Sequence, residues 1–263
     1  FSKKIVRNCI KRILLKKEKR IRILNRYIKK EQEKAKNTQR YAYLNTKRYG
    51  YEKISQYFEG SNVLELGTDG SATSSVLARW SKKLTIVDME DKFTKQIQED
   101  NKLKKVNFLK SKWEDFKPTK KFSDILLTDS LEHVKDSKKI LTLIKGWLKN
   151  DGRLHIIVPN ALSVHRLIGT QMGYLDNPYQ LNENDIKSEH IKVYDYNILK
   201  KEVKNAKLSI KAFHGIQLKP NTDNQLLLFG DDYSDALNSL SALFDKNYAE
   251  LYFCIELIKQ PKS

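Results

Sequence analysis

The sequence predicts an α/β fold in which a mostly parallel sheet carries helices on both faces. Three observations predict it. From residue 62 onward, short apolar runs alternate with amphipathic stretches. The first run leads through a turn holding Gly67 and Gly70 into a helix-forming stretch. The second run closes on an acid, Asp88, 21 residues after Gly67. With 263 residues, 40% of them hydrophobic and 10% aromatic, the chain can bury a substantial core, which excludes wholesale disorder.

The chain opens on a different pattern. Residues 1–48 carry 18 Lys and Arg against Glu18, Glu31 and Glu33, a balance of +15, whereas the other 215 residues balance at +3. The basicity therefore belongs to one segment and does not make the whole protein a nucleic-acid binder. Val6, Ile10, Ile13, Ile21, Leu24 and Ile28 recur at helical spacing, which predicts a basic amphipathic helix over 4–34. Such a helix can pack its stripe on its own domain or on a second copy of the chain in a homodimer. It also suits an anionic membrane surface, through residues 1–35. Nucleic acid is disfavoured as a partner, because neither an aromatic-rich strand motif nor zinc-ligand spacing accompanies the charge.

The body follows in order. Strands are predicted over 62–66, 84–88, 106–109, 124–128 and 154–158. Helices are predicted over 72–80, 93–100 and 137–149, with a turn at Asn150-Asp151-Gly152. Residues 160–190 are polar and irregular, a length typical of a binding insert. A helix over 196–204, late strands over 208–216 and 251–258, and a helical segment over 236–244 complete the chain. The longest apolar runs, such as 226–229, are far too short to span a membrane. Two cysteines, Cys9 and Cys254, make no disulfide framework, and the N-terminus lacks the uninterrupted apolar stretch of a secretory signal. The expected location is the cytoplasm, with peripheral attachment at the inner membrane face if the basic helix binds lipid.

The glycine turn between strand and helix lets the backbone approach a ligand, and Asp88 can accept hydrogen bonds from two ribose hydroxyls. Four segments then resemble the S-adenosylmethionine-dependent class I methyltransferases. They are Val63-Leu64-Glu65-Leu66-Gly67, Thr85-Ile86-Val87-Asp88, the stretch from Phe122 through Leu131-Glu132-His133-Val134, and Asp151-Gly152 through Pro159-Asn160. Leu131-Glu132-His133-Val134 is similar to the ubiquinone-type branch, and residues 158–163 are similar to members acting on sugars in surface-polysaccharide pathways. The resemblance implies a Rossmann-like, seven-stranded, mostly parallel sheet with S-adenosylmethionine as cofactor. It implies a catalytic domain over 49–263, with substrate-side inserts at 160–190 and 217–247 and a basic extension over 1–48. Since the motifs begin after Gly60, the first 35 residues are expected to be dispensable for cofactor binding.

The resemblance also assigns residues. Glu65, Gly67, Thr68 and Gly70 hold the methionine end of the cofactor, and Asp88 holds the ribose with Met89 beside the adenine. Trp113 and Glu114 lie at the adenine, and Thr128 and Asp129 beside the transferable methyl. The chain departs from the family's G-x-G-x-G turn by placing Asp69 and Ser71 where glycines are usual. A sulfonium methyl is already activated, so the transfer needs no metal, but a hydroxyl acceptor profits from a base. His190, at the end of the 160–190 insert, is the first catalytic candidate, and His133, after the fourth strand, is the second. Asn160, His165, Arg166 and Tyr194 are the substrate-binding candidates, while His155 and His214, inside strands, read as structural. The expected activity is methylation of a hydroxyl on a small molecule, a nucleotide-activated sugar for a bacterial surface or capsular polysaccharide. The rivals are N-methylation of an amino sugar or small amine, and an RNA- or membrane-associated methyltransferase that uses its basic helix.

Overall fold

The computed structural model describes residues 3–68, 72–90, 106–244 and 246–258, with side chains from Leu14 onward. Its strands are β1 Val63–Leu66, β2 Leu84–Asp88, β3 Val106–Lys110, β4 Phe122–Thr128, β5 Leu148–Pro159, β6 Leu208–Ile216 and β7 Glu250–Leu257. They form one sheet in the order β3-β2-β1-β4-β5-β7-β6. The first five are parallel, and β7 runs antiparallel between β5 and β6. All four residues of β1 and the first six of β4 are buried, as expected of central parallel strands covered on both faces, and the polar members Glu65, Ser123 and Asp124 are buried with them.

Helices cover both faces. On one lie α1 Lys3–Lys34, α2 Gln39–Ile54 and α3 Ala72–Trp80; on the other lie α4 Ser137–Trp147 and α7 Tyr196–Asn205. Two short helices, α5 Val164–Gln171 and α6 Glu183–Lys187, lie between β5 and α7, and α8 Asp223–Leu240 precedes β7. α2 lies very close to the sheet because Gly50 faces it: a β-carbon there would stand 2.8 Å from Ile157 Cδ1. The described part of α1 is built into the same face. Leu24 and Ile28 are fully buried in a cluster with Tyr51, Phe58, Val76 and Trp80. Arg20 donates to the carbonyls of Phe58 (2.7 Å) and Glu59 (3.1 Å), and Trp80 Nε1 donates to the Arg20 carbonyl. Leu14 and Leu15, nearer the start, are half exposed.

Several expectations shift. The boundary placed at residue 48 falls inside α2, because Tyr49, Tyr51 and Ile54 belong to the same helix as Ala42 and Leu44 and bury with them. The helix expected to run to 149 stops at Trp147, and Asn150-Asp151-Gly152 bulges within β5, between the pairs Phe122–Leu148 and Asp124–Arg153. The helix expected over 236–244 begins thirteen residues earlier, at Asp223, where Thr222 and Gln225 form a capping box, and it breaks at Gly230 (φ 76°). The helix expected over 93–100 and the side chains of Val6, Ile10 and Ile13 lie outside the described residues.

One buried charge anchors the bottom of the sheet. Asp124, on β4, accepts from the amides of Glu59 (2.9 Å) and Gly60 (2.7 Å) and lies 3.2 Å from His155 Nε2. Burial alone would raise its carboxyl; the hydrogen bond and charge of His155, with the two amides, outweigh burial and hold it below the ordinary value. A carboxyl whose folded pKa lies below its unfolded value of about 3.9 stabilises the fold above that pH and loses the contribution as pH falls through the folded value. Asp124→Asn is therefore expected to lower stability near pH 7 by about 1–3 kcal/mol and to flatten the decline below about pH 4. Urea midpoints measured from pH 3 to 7 check this, and parallel curves for the two proteins refute it.

Candidate active site

The strand order reverses between β1 and β4, which makes the C-terminal ends of these strands the switch point where α/β sheets receive ligands. The two ends are tied together, since Ser130 Oγ donates to the Leu66 carbonyl (3.0 Å). Gly67 turns there with φ 77°, and a β-carbon at this position would stand 2.8 Å from Ser130 Oγ. Next to it, Asp88 Oδ2 accepts from the Thr68 amide and Oδ1 from the Glu90 amide, both at 2.8 Å. Met89 is 60% exposed beside it. Trp113 opens a short 3₁₀ turn after β3, and its Nε1 donates to the Val87 carbonyl (3.2 Å). Glu114 is exposed, and Glu65 is buried under the turn. Gly70 lies outside the described residues.

The end of β4 carries a second group of side chains. Asp129 has φ 48°, a left-handed conformation that aspartate tolerates better than most residues. Its Oδ2 accepts from Tyr43 OH (3.1 Å) and pairs with Lys47 Nζ, while Oδ1 is buried without a hydrogen bond. Lys47, buried on α2, also lies 3.4 Å from Glu250 Oε1. Tyr51 OH stands 3.5 Å from Thr128 Oγ1. A 3₁₀ turn, Leu131–His133, follows. Glu132 in it is fully buried, and neither carboxylate oxygen has a hydrogen-bond partner. Burial pushes its carboxyl up to about 7, against the pull of its own backbone amide first and then of His190 and Lys47.

His190 is brought to this turn by the insert. Its Nε2 lies 3.9 Å from Glu132 Oε1, and its ring meets that of His133 edge-to-face at 4.9 Å between centroids. The Ile191 amide donates to the Glu132 carbonyl (3.1 Å), which locks the two segments together. Asp185, on α6, lies 3.1 Å from His190 Nδ1 and accepts from Arg166 Nη1 at 2.8 Å. Burial would raise Asp185; the hydrogen bonds from His190, the Asn182 amide and Arg166 reverse that and bring it to about 2.

A family model described as "Methyltransferase domain" matches residues 17–211. The chain belongs to this methyltransferase family. Its cofactor is S-adenosylmethionine. No curated protein matches the chain. Among solved structures, the S-adenosylmethionine-dependent methyltransferase from Mesorhizobium loti is similar at TM-score 0.57 and 8% identity, over 80% of this chain and 99% of that one. The N-methyltransferase NodS from Bradyrhizobium japonicum WM9 is similar at TM-score 0.50 and 13% identity, over 80% and 97%. The O-methyltransferase NcsB1 from neocarzinostatin biosynthesis, solved with S-adenosyl-L-homocysteine and 1,4-dihydroxy-2-naphthoic acid, is similar at TM-score 0.52 and 14% identity, over 79% and 53%. At these identities the likeness is one of fold.

The methyltransferase's residues fit that cofactor. Asp88 is already aimed by two amides and each of its oxygens keeps an acceptor site for a ribose hydroxyl. The exposed thioether of Met89 offers an apolar face beside it. Asp129, at the end of β4, also has its carboxylate engaged by Tyr43 and Lys47, which holds α2 over that end of the strand.

Three of the four substrate-binding candidates are corrected. Asn160 is 1% exposed and spends its amide on the Lys246 and Tyr248 carbonyls, with the Leu162 amide on its oxygen. Tyr194 is fully buried and donates to Glu202 Oε2 (3.0 Å), its phenol raised by burial and by that carboxylate. Arg166 is buried and ties Asp185 to the carbonyls of Pro178 and Gln180, so it shapes the insert. His165, near Lys219, is held down to about 3 by burial and by the Lys219 and Arg166 charges. Sequence reasoning passed over Lys47 and Asp185. Lys47 sits in a run of ordinary basic residues that signals nothing; the spacing Asp185–His190 was a readable hint of a carboxylate beside the imidazole.

Proposed function

We propose that this methyltransferase transfers the methyl to a hydroxyl of a small molecule, a nucleotide-activated sugar used in bacterial surface polysaccharide synthesis, and that the acceptor is received at Glu132, His133 and His190. One observation carries the site: two histidines far apart in sequence meet at 4.9 Å beside a buried carboxylate, at the end of β4. S-adenosylmethionine supplies a sulfonium methyl that needs no further activation. The chain's own residues must then hold the acceptor oxygen in line and give its proton a way out as the carbon–oxygen bond forms. The sugar assignment is supported by the resemblance of residues 158–163 to sugar-directed members.

His190→Ala and His133→Ala are each expected to cut turnover at least about tenfold, with S-adenosylhomocysteine affinity nearly unchanged. Labelled S-adenosylmethionine offered with a panel of nucleotide sugars and their amino-sugar counterparts reads both the acceptor and these variants. Transfer to amines alone would replace the hydroxyl assignment with N-methylation.

A further inference from the structure

We propose that Glu132, His133 and His190 form a binding site for a divalent first-row transition metal of the zinc type, whose open positions receive the acceptor hydroxyl. The site deepens the proposed function and rests on it for the acceptor, but not for the metal.

One nitrogen or oxygen from each of the three side chains lies within 4.8 Å of the others. Ligand atoms on a tetrahedral ion at about 2.0–2.2 Å stand roughly 3.4 Å apart. The 3.9 Å between His190 Nε2 and Glu132 Oε1 is too long for a hydrogen bond but close to that spacing. Small side-chain rotations would close the set.

The second observation is the carboxylate itself. Glu132 is fully buried, and both of its oxygens lack a hydrogen-bond partner. An unsatisfied buried carboxylate is costly, and such groups in proteins are paired or bind metal. Lys47, the buried cation on α2, is already held by Asp129 and Glu250.

The third is the orientation of the rings. His133 Nδ1 lies 3.1 Å from the Glu189 carbonyl oxygen, and His190 Nδ1 lies 3.1 Å from Asp185 Oδ1. Each imidazole thus directs Nδ1–H to an oxygen and keeps Nε2 as a lone-pair donor, the arrangement that fixes metal-ligating histidines. Asp185 is in turn clamped by Arg166, which accounts for a buried arginine deep in the insert. Two imidazoles and one carboxylate favour zinc, iron, cobalt or nickel over magnesium or calcium. Three protein ligands leave open positions, and an ion there lowers the pKa of a bound hydroxyl as it does that of water. The hydroxyl's proton then leaves to solvent before or as the oxygen–carbon bond forms and the methyl–sulfur bond of the sulfonium breaks, its electron pair staying on sulfur in S-adenosylhomocysteine, so the two histidines serve as ligands.

Cobalt(II) titrated into the full, chelator-stripped chain tests this. The expected result is one equivalent bound by calorimetry, with visible absorption in the range of nitrogen- and oxygen-ligated cobalt. Glu132→Gln, His133→Ala and His190→Ala should each weaken binding at least tenfold, while S-adenosylhomocysteine affinity stays within about twofold. His133→Asn serves where a variant fails to fold, since His133 is the exposed member of the set. Cobalt that binds equally to wild type and variants, or that gives only the weak spectrum of the hydrated ion, overturns the site. Metal binding intact with no sugar hydroxyl methylated would sink the proposed acceptor and leave the metal standing. Full methylation of the sugar in the stripped chain, with no cobalt bound, would do the reverse.

Discussion

A chain that begins at Lys36 is expected to lose cooperative folding at ordinary temperatures. The structure removes Leu24 and Ile28 entirely from water against Tyr51, Phe58 and Trp80. Fully burying each aliphatic side chain is worth about 1.5–3 kcal/mol, so these two alone account for several kcal/mol of a total that rarely exceeds about 15. Ile23 and Tyr27 pack beside them, and Arg79 lies over the Tyr27 ring at 4.0 Å. Deleting α1 also removes Arg20, whose guanidinium satisfies the carbonyls of Phe58 and Glu59 next to the start of β1. Far-UV circular dichroism against temperature reads the outcome. A shortened chain that melts where the full chain does would restore the expectation that the first 35 residues are dispensable. The milder Leu24→Ala should cost about 2–5 kcal/mol without changing cofactor affinity at temperatures where it is folded.

Asp88→Ala is expected to weaken S-adenosylhomocysteine binding by about 10- to 100-fold. The carboxylate is held by the Thr68 and Glu90 amides at 2.8 Å, so it is pre-aimed and costs little to order when a ribose arrives. Hydrogen bonds to a charged acceptor contribute about 1.5–3 kcal/mol, and every 1.4 kcal/mol is tenfold in affinity. Losing the carboxylate also frees the Thr68 amide, in the turn that begins at Gly67, so the effect combines direct and positioning losses. Asp88→Asn keeps one acceptor oxygen and should fall between the two. Isothermal titration calorimetry decides, and equal affinities for all three proteins would remove Asp88 from the ribose.

The parallel sheet was readable because its signals are local. β1, β2 and β4 are short runs built around apolar residues, and Gly67, Asp88 and Asp129 stand where the chain leaves the sheet. Gly67 and Asp88 were legible for the same reason: glycine is the default residue for a left-handed turn, and an acid that closes the strand beside such a turn can receive a ribose. His133 and His190 could be singled out one by one, yet nothing in their spacing says that they touch.

Residue order alone thus made the parallel strands and the Gly67–Asp88 pair legible, since periodicity and turn chemistry act over a few residues. Tertiary structure decided the rest. It alone placed α1 in the core rather than apart from it, because burial depends on which surface the stripe meets. It turned Asn160, Arg166 and Tyr194 from substrate contacts into internal struts, because a polar side chain's role is set by the partner it finds. And it brought Glu132, His133 and His190 within 4.8 Å, because their meeting depends on how the 160–190 insert folds back over β4.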